Sequence, residues 1–372
     1  MGSRRASRPS VSDPRQRRLA ALVHGLTTAH VDGLLVTSLA NVRYLTGFSG
    51  SSALLLVTPR DVVLITDFRY QTQVAEEVGD FARVGIEPQS LWIGLWQHLG
   101  QLPHVKVVGF ESAHLLHRDF QRLLENGTRW QWRPTVDLVE TLRERKDENE
   151  VALIEAAAKV ATTALEKTLR QVRAGMTELE VAGVLEKALR DEGSEGFPFP
   201  SIVASGPRAA LPHARSSPRR IETGDFLLID FGAEVHGYCA DVTRTVVVGR
   251  ATGEQREIYE VVRGANELAS QRVHAGLSVR DADALARDYI QSRGYGELFG
   301  HSLGHGVGLE VHEAPRLART AEGALAEGAV VTIEPGIYRP GWGGVRIEDD
   351  VVLEASGPRI LTQFTRELIE LT

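Results

Sequence analysis

The segment from Asp225 to Gly249, DFLLIDFGAEVHGYCADVTRTVVVG, constrains this chain more than any other. Two long apolar and β-branched runs meet at His236-Gly237, a pair that reads as the turn of a β-hairpin. If Val235 pairs with Tyr238, Gly232 falls opposite Asp241 and Asp230 opposite Thr243. Side chains two apart on a strand share a face with their cross-strand partners, so Asp230, Gly232, Asp241 and Thr243 point the same way. Carboxylates in the middle of apolar strands are costly to bury unless they are paired or hold a cation. The pattern leaves two readings open: hydrogen-bonded aspartates at strand ends, or a shared positive group between Asp230 and Asp241.

A second constellation, GHSLGHGVGLEVHE from Gly300 to Glu313, places His301, His305 and His312 on a backbone threaded with glycine. Each interior glycine costs a helix about 1 kcal/mol against alanine, so Gly304, Gly306 and Gly308 exclude a regular helix here. They are better explained as letting the backbone approach a crowded centre. In the third constellation, TIEPGIYRPGWGGVRIEDDVVL, Glu334 ends one apolar strand and Glu348 sits in another. Asp349 and Asp350 read as solvated charges at a strand edge. The tripeptide Asp230-Phe231-Gly232 lacks the catalytic and glycine-rich loops of a kinase, and His312-Glu313 lacks the second histidine of an HExxH zinc site.

Residues 15–143 alternate helical patterns with short strands such as VDGLLVT, DVVLIT and VKVVGF, which predicts an α/β domain. Residues 1–14 are expected to form a disordered arm. The charged hinge LRERKDENEV leads into a long helix beginning near Asp147 and opens a second domain over residues 144–372. Within it AGMTELEVA from Ala174 and AGLSVRDAD from Ala275 echo one another. Each opens a helix with a capping pair, Thr177 with Glu180 and Ser278 with Asp281, and the recurrence predicts two pseudo-equivalent halves. A net charge of -7 argues against sequence-independent nucleic-acid binding. No apolar run is long enough to span a membrane. The single cysteine, Cys239, cannot form an intrachain disulfide, which fits a cytoplasmic protein.

Asp230, Asp241, His305, Glu334 and Glu348, in this order and within IDFGAEVHGYCADVTRT, HSLGHGVGLEVHE, IEPGIY and VRIEDD, resemble the dinuclear metal site of the pita-bread metallopeptidases. That family includes methionine aminopeptidase, prolidase and aminopeptidase P. The resemblance implies a creatinase-like α/β N-terminal domain and an α+β pita-bread catalytic domain with an internal pseudo-two-fold. It implies two divalent ions, most simply Mn²⁺, with Co²⁺, Zn²⁺ or Fe²⁺ tolerated by so oxygen-rich a ligand set. By the family pattern Asp230 chelates one ion, His305 and Glu334 hold the other, and Asp241 and Glu348 bridge them around a hydroxide. Glu334 would also shuttle protons. His213, His301 and His312 match positions that touch substrate, with His301 and His312 acting in catalysis and His312 steadying the oxyanion. Arg346 is expected over Glu348 or over Tyr338, and both Arg346 and Tyr338 are candidate substrate contacts.

The creatinase-like domain separates the chain from methionine aminopeptidases, and NVRYLTGFSGSSALLLVT with TDFRY is more similar to aminopeptidase P than to prolidase. The expectation is therefore a homodimeric Xaa-Pro aminopeptidase acting on peptides with proline second. An Xaa-Pro dipeptidase is the alternative, and a non-catalytic peptide- or protein-binding scaffold a more distant one.

Overall fold

The computed structural model describes residues 13–372, and its chain divides into two compact units that meet in sequence at Arg143 and Glu144. The arm expected over residues 1–14 lies outside the described residues as far as position 12. Asp13 and Pro14 already belong to the start of a helix, where the Asp13 carboxylate accepts from the Arg15 N–H and proline takes the first helical position.

The first unit has helices α1 (Pro14–Thr28), α2 (Leu39–Thr46), α3 (Gln71–Glu77), α4 (Leu91–Gly100), α5 (His117–Asn126) and α6 (Glu140–Arg143). Its strands are β1 (Gly33–Val36), β2 (Ala53–Val57), β3 (Val62–Asp67), β4 (Arg83–Glu87), β5 (Val107–Glu111) and β6 (Gln131–Thr135). They form one sheet in the order β4-β3-β2-β1-β5-β6. Only β2 runs antiparallel to its neighbours. Leu34, Leu35, Leu55, Leu56 and Leu64 are fully buried, as expected for central strands covered on both faces.

The second unit opens with α7 (Glu148–Leu169), whose start carries a reciprocal capping box between Asp147 and Glu150. Next come α8 (Glu178–Asp191), β7 (Ile202–Ser205), β8 (Phe226–Val235), β9 (Tyr238–Val248), α9 (Gly253–Arg272) and α10 (Val279–Ser292). The chain continues through β10 (Gly304–Gly306), β11 (Glu313–Leu317), β12 (Val330–Ile333), β13 (Gly336–Arg339), β14 (Gly343–Arg346), β15 (Asp349–Glu354), β16 (Gly357–Ile360) and β17 (Glu370–Leu371). One sheet runs β17-β9-β8-β7, another β11-β10-β12-β15-β16, and β13 pairs with β14. Helices α7 and α8 bury Leu165, Val181 and Leu185 with Ile229 and Phe231 of the first sheet. Helices α9 and α10 bury Ile258, Val262 and Ile290 with Val331, Ile333 and Val351 of the second.

The two halves repeat in detail. Thr177 bridges to Arg220 where Ser278 bridges to Ala324, and Gly175 and Gly276 share left-handed φ values of 90° and 89°. The caps differ in one respect. Glu180 accepts from both the N–H and the hydroxyl of Thr177, whereas the shorter Asp281 carboxylate accepts from the Ser278 hydroxyl, at 2.7 Å. The architecture is thus an α/β domain followed by an α+β domain with internal pseudo-symmetry.

Candidate active site

The hairpin β8–β9 adopts the register that alternation alone anticipates: Val235 opposite Tyr238, Gly232 opposite Asp241, Asp230 opposite Thr243. His236 and Gly237 take φ of 45° and 71°, the pair of left-handed residues that a tight two-residue turn needs. Asp230 and Asp241 are buried, and the Asp241 Oδ1 has no hydrogen-bond partner among the described residues. The Asp241 N–H donates to the Asp350 carboxylate at 3.1 Å. Thr243 donates its hydroxyl to Glu348 Oε2 at 2.6 Å.

The glycine-rich segment forms β10 and irregular backbone, not a helix. A Cβ on Gly304 would lie 1.9 Å from the Thr332 carbonyl oxygen, and one on Gly306 would lie 2.1 Å from that of Ala314. Only glycine permits that approach, which holds His305 between β11 and β12. The His305 backbone N–H donates to Thr332 Oγ1 at 3.0 Å. Its Nδ1 lies 3.0 Å from the Gly306 carbonyl, which can only accept. The proton therefore sits on Nδ1 and the Nε2 lone pair points inward, 3.4 Å from Glu334 and 3.8 Å from Asp241. Glu334 is the residue after β12.

One donor atom from each of Asp241, His305 and Glu348 lies within 4.8 Å of the others. Asp230, Asp241, His305, Glu334 and Glu348 all line a cavity of about 480 Å³, together with His213, His301, His312 and Arg346. Burial, followed by the charge of Glu348, raises Asp241 and Glu334 well above ordinary carboxylates. Glu348 is pushed up to about 8 by burial and by Asp230. Burial also holds the imidazoles of His301 and His305 down at about 4, so both are neutral at physiological pH. Four carboxylates that resist ionising together, a neutral imidazole with an inward lone pair and an orphaned Asp241 oxygen form a donor set that fits divalent cations.

Arg346 holds several of these groups at once. Its guanidinium pairs with Asp230, donates to Thr243 Oγ1 at 3.1 Å and to the Tyr338 hydroxyl at 2.8 Å. Of the two positions expected for it, the one at Tyr338 is occupied, and the carboxylate it engages is Asp230 instead of Glu348. Tyr338 lies 2.9 Å from His301 Nε2, while His301 Nδ1 lies 2.8 Å from the Ser302 carbonyl. Both ring nitrogens of His301 are thus engaged within the protein. His312 is exposed at the cavity wall with its ring 4.3 Å from that of His305, and His213 is exposed on the loop between β7 and β8.

The expectation that Asp349 and Asp350 are solvated edge charges is wrong. β15 is an inner strand and both residues are fully buried. Asp349 pairs with Arg244 and Arg366 at 2.7 Å each, and Asp350 supports the Asp241 backbone. Thr332, Phe199, Ile202 and Arg316 also belong to the site or its walls. Thr332 had a signal, since it lies two residues before Glu334 on the same strand face. Nothing in the local pattern marks Arg316.

A sequence profile described as Metallopeptidase family M24 matches residues 152–355, and one described as Creatinase/Prolidase N-terminal domain matches residues 18–145. The chain is 36% identical over 359 residues to the Xaa-Pro dipeptidase of Pyrococcus horikoshii, covering 96% of this chain and 100% of that one. Among solved structures, an Xaa-Pro dipeptidase from Bacillus anthracis superposes with a TM-score of 0.93 at 39% identity, covering 96% of this chain and all of that one. An X-Pro aminopeptidase from Thermotoga maritima superposes with a TM-score of 0.87 at 38% identity, covering 95% and 99%.

Proposed function

Because this chain belongs to the metallopeptidase family M24 and carries a creatinase/prolidase N-terminal domain, we propose that it hydrolyses Xaa-Pro bonds and prefers the free dipeptide. The observation that carries the reading is the meeting of Asp241, His305 and Glu348 within 4.8 Å inside a cavity that Asp230 and Glu334 also line. Asp230 would hold one ion, His305 and Glu334 the other, and Asp241 and Glu348 both. When bound, two divalent ions would acidify a water molecule and polarise the scissile carbonyl, and this oxygen-rich set suits Mn²⁺.

The side chains supply the rest. Glu334 takes the proton of the attacking water and passes it to the proline nitrogen. His312 donates to the developing oxyanion, and His213 also lines the cavity. His301, with both nitrogens engaged, braces Tyr338 and shapes the pocket.

The aminopeptidase preference drawn from the N-terminal segments gives way to the dipeptidase reading. Similarity to two proteins named Xaa-Pro dipeptidase supports the latter, and the exposed Arg316 guanidinium offers a partner for the carboxylate that a dipeptide carries on its proline. The resemblance to an X-Pro aminopeptidase keeps peptides of three or more residues as the second reading. The presence of all five donor residues speaks against a non-catalytic scaffold.

The test is a panel of Xaa-Pro, Xaa-Pro-Yaa and longer peptides followed by chromatography, with metal analysis of the same sample. Turnover of the dipeptide that stops in chelator and returns best with Mn²⁺ is expected. Cleavage of the longer peptides alone would overturn the dipeptidase reading, and undiminished turnover in excess chelator would overturn the metal-dependent one.

A further inference from the structure

The loop between β7 and β8 brings Pro212 and His213 to the cavity wall. Its two feet meet at one carboxylate, that of Glu178, the first residue of α8 and fully buried. Glu178 Oε1 accepts from the Ser205 N–H at 2.8 Å and from its hydroxyl at 2.9 Å. Oε2 accepts from the Ser217 N–H at 3.0 Å and from its hydroxyl at 2.6 Å. Arg208, inside the loop, places Nε 3.2 and 3.1 Å from the two oxygens and donates through Nη2 to the Arg215 carbonyl at 2.6 Å. One buried side chain therefore ties residues 205, 208 and 217 directly, and residue 215 through Arg208.

We propose that Glu178 is a positioning residue for His213: it clamps the loop 206–216 and so sets where that imidazole stands at the cavity wall. Glu178 lies outside the cavity lining and has no part in the metal-binding set. The arrangement needs a carboxylate. A glutamine would turn an NH₂ group towards one pair of serine donors and leave the Arg208 charge without its counter-ion, so donors at one foot would lose their acceptor. The loop would then sample positions in which His213 is displaced from substrate.

The role of His213 towards substrate rests on the proposed function; the clamp itself does not. The experiment compares Glu178→Gln, His213→Ala, the double variant and the unaltered chain. In Glu178→Gln, limited trypsin digestion at Arg208 and Arg215 is expected to accelerate about ten-fold, with metal content per chain unchanged. KM for an Xaa-Pro substrate should rise about ten-fold with kcat within about two-fold, and the double variant should be no worse than His213→Ala. Additive losses in the double variant, or unaltered loop cleavage, would overturn the proposal. Should Glu178→Gln fail to accumulate folded, Ser217→Ala removes one hydroxyl donor and should shift cleavage and KM in the same direction by a smaller factor. Wild-type behaviour of Ser217→Ala in both would count against the clamp. Should the unaltered chain leave Xaa-Pro peptides intact, the proposed function falls, while the digestion rates still decide whether Glu178 holds the loop.

Discussion

Replacing Thr243 by valine tests the electrostatic reasoning with the least change of shape. Thr243 is fully buried, donates to Glu348 at 2.6 Å and accepts from Arg346 at 3.1 Å. Valine fills nearly the same volume, so no cavity term enters, but two hydrogen bonds to charged groups disappear. Each is worth roughly 1.5–3 kcal/mol. Arg346 keeps Asp230 and Tyr338 as partners, which places the loss near the lower end, about 3 kcal/mol in total. For a unit of this size that corresponds to a fall in melting temperature of roughly 6–12 °C, read by calorimetry on chelated protein above pH 8, where Glu348 is ionised. Glu348 would also lose the contact that fixes its carboxylate, so metal affinity should drop about 10- to 100-fold in a competition titration. Thr243→Ser, which keeps the hydroxyl, should recover most of both losses. A Thr243→Val protein that melts and binds metal like the original would refute the claim that this hydroxyl orients the site.

Asp241→Ala should abolish metal uptake at one position or both, measured by elemental analysis after dialysis, and full occupancy would point to a different ligand set. The metal-free protein should lose stability as pH rises from about 6.5 to about 8. Glu348 has a folded-state value of about 8, above its unfolded value, so its contribution is complete at low pH and vanishes as pH passes through the folded value. His301 and His305, held at about 4, act with the opposite sign but only between about 4 and 6.5. Denaturant midpoints that stay level across the upper window would contradict the raised value.

Short-range physics accounts for what was legible in the chain by itself. Alternation and the His236-Gly237 turn set which of Asp230, Asp241 and Thr243 share a face, because register in a hairpin depends on a few neighbouring residues. Caps at Thr177 and Ser278 were readable for the same reason. The glycines of HSLGHGVG announced a close approach without saying to what; the tertiary structure supplies the Thr332 and Ala314 carbonyls. Partner choice for long side chains was decided only on folding. Arg346 and Asp230 are 116 residues apart, and no local pattern says that the guanidinium takes that carboxylate in place of the nearby Glu348. The misreading of Asp349 and Asp350 has the same origin. An acidic pair in isolation is cheapest in water, but packing between β12 and β16 removes the water and Arg244, from 105 positions away, replaces it for Asp349. Sequence specifies the chemistry each strand can offer, while the juxtaposition of sheets determines which charges must satisfy one another.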